Sequence, residues 1–174
     1  PPEPLKNITF YPPFEEKRLK SLSLIKMGSY KKIQLEFNTD DIFWDSSPMF
    51  LTYNSKISGK EYYLKNDTTD LAALSDTTDM FPYILWNNYK YSKNKPIIEA
   101  ICPAEIGWKL TGKTDEEIVD LVLSQLQNYF PNNLLKEPKA WHITRWEEDI
   151  YSQGAYSYHD NNIKDEDIYC IYEN

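Results

Sequence analysis

Residues 32–37 read Lys-Ile-Gln-Leu-Glu-Phe, and this alternation constrains the fold more than any other stretch of the chain. Side chains of an extended strand leave alternate faces, so Ile33, Leu35 and Phe37 share one face and Lys32, Gln34 and Glu36 the other. A strand with one apolar face cannot stand alone. It needs partners in a sheet and a second layer over its apolar side. Residues 114–130 supply a candidate layer. Ile118, Leu121, Val122, Gln125 and Leu126 trace one helical face that ends at Phe130. Thr114 and Glu117 form a Thr-x-x-Glu capping box at the start, and Pro131 with the following Asn pair stops the helix.

Other segments extend this pattern. Residues 14–25 place Leu19, Leu22 and Ile25 at helical spacing, and Gly28 follows as a stop signal. Residues 81–89 and 96–102 read as a buried strand pair joined by a turn at 91–95, and 139–145 as a further strand. A short strand is expected within residues 7–11, in a lead-in where residues 1–13 hold five of the eleven prolines. Residues 46–80 are rich in Ser, Thr, Asn, Asp and Lys and read as a loop-rich excursion, with a hairpin at Ser58-Gly59 and a strand near 61–64. From Asp160 the chain turns acidic and polar, which predicts a loosely held tail. The fold expected is α+β: a mixed, largely antiparallel sheet from the regions of Lys32, Tyr83, Ile97 and His142, with helices 14–25 and 114–130 over one face.

Composition narrows the function. A chain of 174 residues suits one domain with a tail, and 15% aromatic content argues against disorder. A mean hydropathy of -0.65 without a long apolar run argues against a transmembrane helix. Lys+Arg number 19 against 27 Asp+Glu, a net charge of -8, so a broad nucleic-acid-binding face is not expected, whereas a cationic ligand is permitted. The five glycines are isolated, which excludes a glycine-rich phosphate loop. His142 and His159 lack metal-site spacing, and no metal is expected. Cys102 and Cys170 are too few for a disulfide scaffold and read as buried or free thiols in a reducing compartment. What stands out is aromatic: Trp146, Tyr151, Tyr156 and Tyr158 crowd around Gly154, while Trp86 and Tyr89 lie on an aromatic strand. On residue types alone this is either an aromatic core or the wall of a pocket for a flat ring or an amine.

Several motifs in register then resemble one family. Residues 144–149, Thr-Arg-Trp-Glu-Glu-Asp, followed by Gly154-Ala155-Tyr156-Ser157-Tyr158, are similar to the C-terminal signature of flavin-dependent amine oxidases. That family includes polyamine oxidases, monoamine oxidases and lysine-specific histone demethylases. Residues 28–37 with Phe43-Trp44-Asp45 resemble its lysine-bearing strand, and residues 85–89, Leu-Trp-Asn-Asn-Tyr, resemble the demethylases' aromatic strand. The likeness runs over residues 4–158 and departs from the family at Ile150, at His159 and across 46–80.

The resemblance implies a division into a substrate-binding domain over residues 1–158, with a flavin-contacting C-terminal segment, and an acidic tail over 159–174. It implies that Lys32 matches the lysine that holds a water against flavin N5, making it the catalytic candidate. Trp146 matches a tryptophan beside the flavin ring, Gly154 and Ala155 join it as cofactor-binding candidates, and Tyr156 matches an aromatic wall facing both flavin and amine. Trp86 matches a substrate-cavity aromatic. Ala155 stands where monoamine oxidases carry a flavin-bonded cysteine, which implies non-covalent FAD and the demethylase or polyamine-oxidase branch. The implied reaction oxidises a secondary or methylated amine, a methyl-lysine or a polyamine, to an imine, giving aldehyde and hydrogen peroxide. The family's dinucleotide-binding motif and last FAD-contacting segment are not among these residues. The chain is therefore expected to be a part of such an enzyme, inactive alone. An intracellular protein, nuclear or cytoplasmic, is implied, with no direct nucleic-acid or membrane binding. The alternative is a non-catalytic interaction domain that retains the fold.

Overall fold

The computed structural model describes residues 2–44, 50–52, 85–130, 132–159 and 161–172. The expected hairpin at Ser58-Gly59, the strand near 61–64 and the first residues of the 81–89 strand lie outside these. The elements begin with α1 (Pro2–Leu5), α2 (Glu16–Ser23), β1 (Ile25–Gly28), β2 (Tyr30–Glu36), a 3-10 turn (Thr39–Asp41) and β3 (Phe50–Thr52). Next come β4 (Leu85–Asn88), α3 (Tyr89–Lys93), β5 (Ile97–Pro103), α4 (Ala104–Lys109) and α5 (Asp115–Tyr129). The last are β6 (Ala140–Ile143), β7 (Tyr156–His159) and α6 (Asp165–Tyr172).

Five strands form a sheet in the order β3-β4-β5-β2-β6, and every pairing among them is antiparallel. The α+β expectation holds, though the described ladder contains no parallel pair. As the alternation requires, β2 sends Ile33 and Leu35 inward, with Phe37 following on the same side. They meet Ile98, Ala100 and Cys102 of β5, Ile143 of β6 and Trp86 of β4. Helix α5 closes this core with Ile118, Val119, Val122 and Leu126, and its capping box forms as the sequence predicts. Beyond the end of β2, Phe37, Phe43, Trp44 and Phe130 pack edge to face, the arrangement that ring quadrupoles favour.

Four expectations give way. Residues 7–11 form no strand, and helix α2 ends at Ser23, because residues 25–28 enter a two-stranded ribbon with β7. That helix does not cover the sheet: Leu19 is exposed, and α2 packs with α6 and β1. The tail expected to be loose contains α6. Asp165, Glu166 and Asp167 occupy its first turn, where the helix dipole favours anions. Cys170 is buried, and its carbonyl accepts a hydrogen bond from Arg18 Nε at 3.2 Å.

Candidate functional site

Strand alternation determines where Lys32 goes. With Ile33 and Leu35 committed to the core, Lys32 leaves the opposite face, its Nζ 5.9 Å from the centre of the Tyr30 ring. Thr144 at the end of β6 grips the same residue from both sides. Its N–H donates to the Lys32 carbonyl at 3.0 Å, and its Oγ1 accepts from the Lys32 N–H at 2.9 Å. Two residues further on, Trp146 sits in a turn with 49% of its surface exposed. Asp149 shapes the bend after that turn, its Oδ1 accepting from the N–H groups of Tyr151 and Ser152 at 2.9 and 2.8 Å.

The chain then doubles back. The Gly154 N–H donates to the Trp146 carbonyl and the Ala155 N–H to the Gly28 carbonyl, each at 2.8 Å. Gly154 has a φ of +143°, and a Cβ there would lie 2.6 Å from that of Met27, so both conformation and space call for glycine. Tyr156 then pairs with Gly28, where a Cβ would come within 2.5 Å of the tyrosine ring. These backbone bonds set the segments that carry Lys32, Trp146, Gly154, Ala155 and Tyr156 side by side, where the β1–β7 ribbon adjoins β2. Beside them lies an apolar groove of about 290 Å³ lined by Gly28, Ala104, Trp108, Tyr156 and Tyr158. Its three rings are all partly exposed, Tyr156 at 42%. Ala104 adopts the left-handed conformation, φ +51°, its N–H held by the Ser29 carbonyl at 2.9 Å. The sequence does not single out Trp108, because α4 carries no helical periodicity long enough to read.

Trp86 does not join this group. It stands opposite Ala100, level with Ile33, and is 1% exposed within the core. Lys32 stands opposite Ile101, one residue out of phase, so the two side chains leave opposite faces of the sheet. The expectation of a substrate-facing Trp86 is corrected by this register, which the run Leu-Trp-Asn-Asn does not encode by itself. On the outer face, Glu99 accepts from Gln34 Nε2 at 2.6 Å, Asn87 Nδ2 at 3.4 Å and the Tyr89 hydroxyl at 3.3 Å. Burial, and then the Glu99 charge, raise the Tyr89 phenol above its ordinary value.

Beneath the exposed residues is an ionic layer that sequence reading missed. Lys31 points into the core side and is fully buried. Its Nζ lies 3.0 Å from Glu147 Oε2, and neither side chain has exposed surface. It also donates to the Thr144 carbonyl at 3.3 Å, while the Ser29 hydroxyl donates to Glu147 Oε1. Burial pushes the Glu147 carboxyl upward, but the hydrogen bonds from Ser29 and Lys31, with the lysine's charge, outweigh it and hold the group below the ordinary value of 4.5. Arg145 binds both Glu148 oxygens at 2.9 Å and also Asp115, whose hydrogen bond is the main reason its guanidinium is raised. Cys102, paired with Lys31 across the strands, has its thiol pushed up to about 12 by burial, with Lys31 acting in the opposite direction. A signal for Lys31 was present: it is in phase with Ile33, Leu35 and Phe37, and a lysine on an apolar face requires a carboxylate.

Among the described residues, no group of three or more His, Cys, Asp or Glu is arranged to hold a metal, and no helix is long and apolar enough to cross a membrane. Cys102 and Cys170 are free and buried.

Comparison with known proteins adds a family. The sequence model described as flavin containing amine oxidoreductase matches residues 1–164. The chain is 28% identical over 155 residues to lysine-specific histone demethylase 1 homolog 3 of Arabidopsis thaliana, covering 88% of this chain and 8% of that protein. It is 26% identical over 150 residues to polyamine oxidase 5 of Oryza sativa subsp. japonica, covering 86% and 25%. Among solved structures, cyclohexylamine oxidase from Brevibacterium oxydans IH-35A superposes with a TM-score of 0.53 at 15% identity, covering 91% of this chain and 30% of that one, a likeness of fold. The chain therefore spans a minor part of the length of each of these proteins.

Proposed function

Because this chain belongs to the flavin-containing amine oxidoreductase family, we propose that it is the amine-binding part of an FAD-dependent oxidase acting on a secondary or methylated amine, either a polyamine or a methylated lysine. The observation that carries this reading is that the segments bearing Lys32, Trp146 and Tyr156 lie side by side, joined by bonds from Thr144 to Lys32, from Gly154 to Trp146 and from Ala155 to Gly28. The names of two relatives, a histone demethylase and a polyamine oxidase, support this choice of amines.

The residues present fit a flat cofactor. Exposed rings of Trp146 and Tyr156 offer apolar surface, and Gly28 and Gly154 leave room for the Tyr156 ring and for Met27, which seat the segment that carries Tyr156. When bound, FAD supplies the acceptor for the hydride lost by the amine carbon. Lys32 Nζ, with three donors and no acceptor, would hold a water by its lone pair and so orient the water's protons. Trp146, 49% exposed, would offer its ring to the cofactor and help to exclude bulk water. Tyr156, with the rings of Trp108 and Tyr158, forms a sleeve for an amine, whose cationic form and alkyl groups both favour aromatic faces. Ala155 has no atom able to bond the flavin, so no covalent link would form at this position. Amine substrates, FAD and activity belong to the assembled protein that contains these residues.

The test is spectroscopic. The longest natural chain carrying these residues is purified and desalted, and its visible spectrum is recorded. Spermine and a dimethyl-lysine peptide are then added in turn without oxygen. Retention of a flavin band that one of them bleaches supports the reading and identifies the amine. A colourless protein would contradict it and favour an interaction domain built on the same fold.

A further inference from the structure

We propose that the buried Lys31–Glu147 ion pair is a positioning device that fixes the turn bearing Trp146 against the strand bearing Lys32. The proposal rests on the reading of those two residues as cofactor-facing. Desolvation is the first consideration. Neither side chain has exposed surface, and Nζ and Oε2 lie 3.0 Å apart. Withdrawing two charges from water costs about as much as their attraction restores, so well-packed apolar residues in the same space are often as stable or more so. Stability alone therefore gives no reason for a lysine in phase with Ile33, Leu35 and Phe37.

Direction gives one. A charge-assisted hydrogen bond has a defined geometry, whereas apolar packing is non-directional. Lys31 Nζ meets Glu147 Oε2, the Thr144 carbonyl at 3.3 Å and Glu148 Oε1 at 3.9 Å. One cation thus gathers three residues of the turn. On the strand, alternation sends Lys31 inward and Lys32 outward. On the turn, Glu147 is buried while Trp146 is exposed. A slip that put Trp146 in the place of Glu147 would leave a buried ammonium without its carboxylate. Helix α4 lies over the pair, and a Cβ on Gly107 would collide with the Ser29 hydroxyl that completes Glu147's hydrogen bonding. Arg145 fastens the other side of the turn to Asp115 at the start of α5.

Hydrogen exchange on the 174-residue chain reads the turn directly, through the Thr144 amide that donates to the Lys32 carbonyl. In a Lys31→Met/Glu147→Leu double variant the thermal midpoint holds or rises. The Ala100 amide in the centre of the sheet keeps its protection, and Thr144 exchange quickens by about 100-fold. In the flavin-bearing protein, the same variant slows reoxidation of the reduced cofactor, as Lys32→Met does. A double variant that cannot fold makes the pair a stability element. One that folds with Thr144 protection unchanged frees the turn's position from the pair. Either result overturns the proposal. Quickened Thr144 exchange in the double variant, with Lys32→Met leaving reoxidation untouched, supports the coupling and overturns only the cofactor reading of Lys32.

Discussion

Lys31 and Lys32 are identical side chains one peptide bond apart, and strand geometry gives them opposite surroundings: one a fully buried ion pair, the other a half-buried place beside Tyr30. Their chemistry diverges accordingly. Glu147 titrates below the ordinary carboxylate value in the folded chain, so its contribution to stability is complete above that value and is lost as the pH falls through the folded one. The difference in Tm between the natural chain and Glu147→Gln should therefore be constant from neutrality down to about pH 5.5 and shrink at lower pH; thermal melts across that range measure it. Cys102, with its thiol at about 12, should stay unmodified by iodoacetamide at pH 8 in the folded chain, as peptide mapping would report. The outward face of Lys32 was legible in the sequence because its neighbours alternate. The role of Lys31 was not, because its carboxylate lies 116 residues away, and no local pattern announces a partner at that distance.

At the scale of elements, the readable ones carry their own signals. Helix α5 has an apolar face and a capping box, both visible in the sequence. Thr114→Ala should remove the cap and cost about 1 kcal/mol in chemical denaturation. Helix α4 depends on contact instead. Gly107 lets it approach Ser29 and the Cys102 carbonyl, 2.9 Å from where a Cβ would stand. Gly107→Ala should lower Tm by about 5 °C or more through forced displacement, measurable by calorimetry. Ribbon β1–β7 escaped the sequence reading for a different reason. All four residues of β7 are exposed, and its Tyr-Ser-Tyr-His run is too short for alternation to mark it as a strand. Its pairing comes from residues 25–28, whose Ile25 also fits the end of the preceding helical pattern. Helix α6 was obscured by its acidic first turn, which suits a helix start as well as a solvated tail.

For the molecule as a whole, the sheet does two things at once. Its inner face is packed by α4 and α5, and one end of it gathers the segments around residues 32, 146 and 156, which are distant in sequence. The family likeness was legible because motifs at 28–37, 85–89 and 144–158 stand in a consistent order. The orientation of Trp86 was not, since sheet register decides it. Everything proposed for the site depends on Lys32 acting at the cofactor while other groups hold the fold. Stopped-flow reoxidation of the reduced flavin, in the protein that carries this chain, separates those roles by comparing the natural sequence with Lys32→Met. Reoxidation should slow by at least about tenfold, with Tm unchanged. Equal reoxidation rates in a folded, fully flavin-loaded variant would contradict the role given to Lys32.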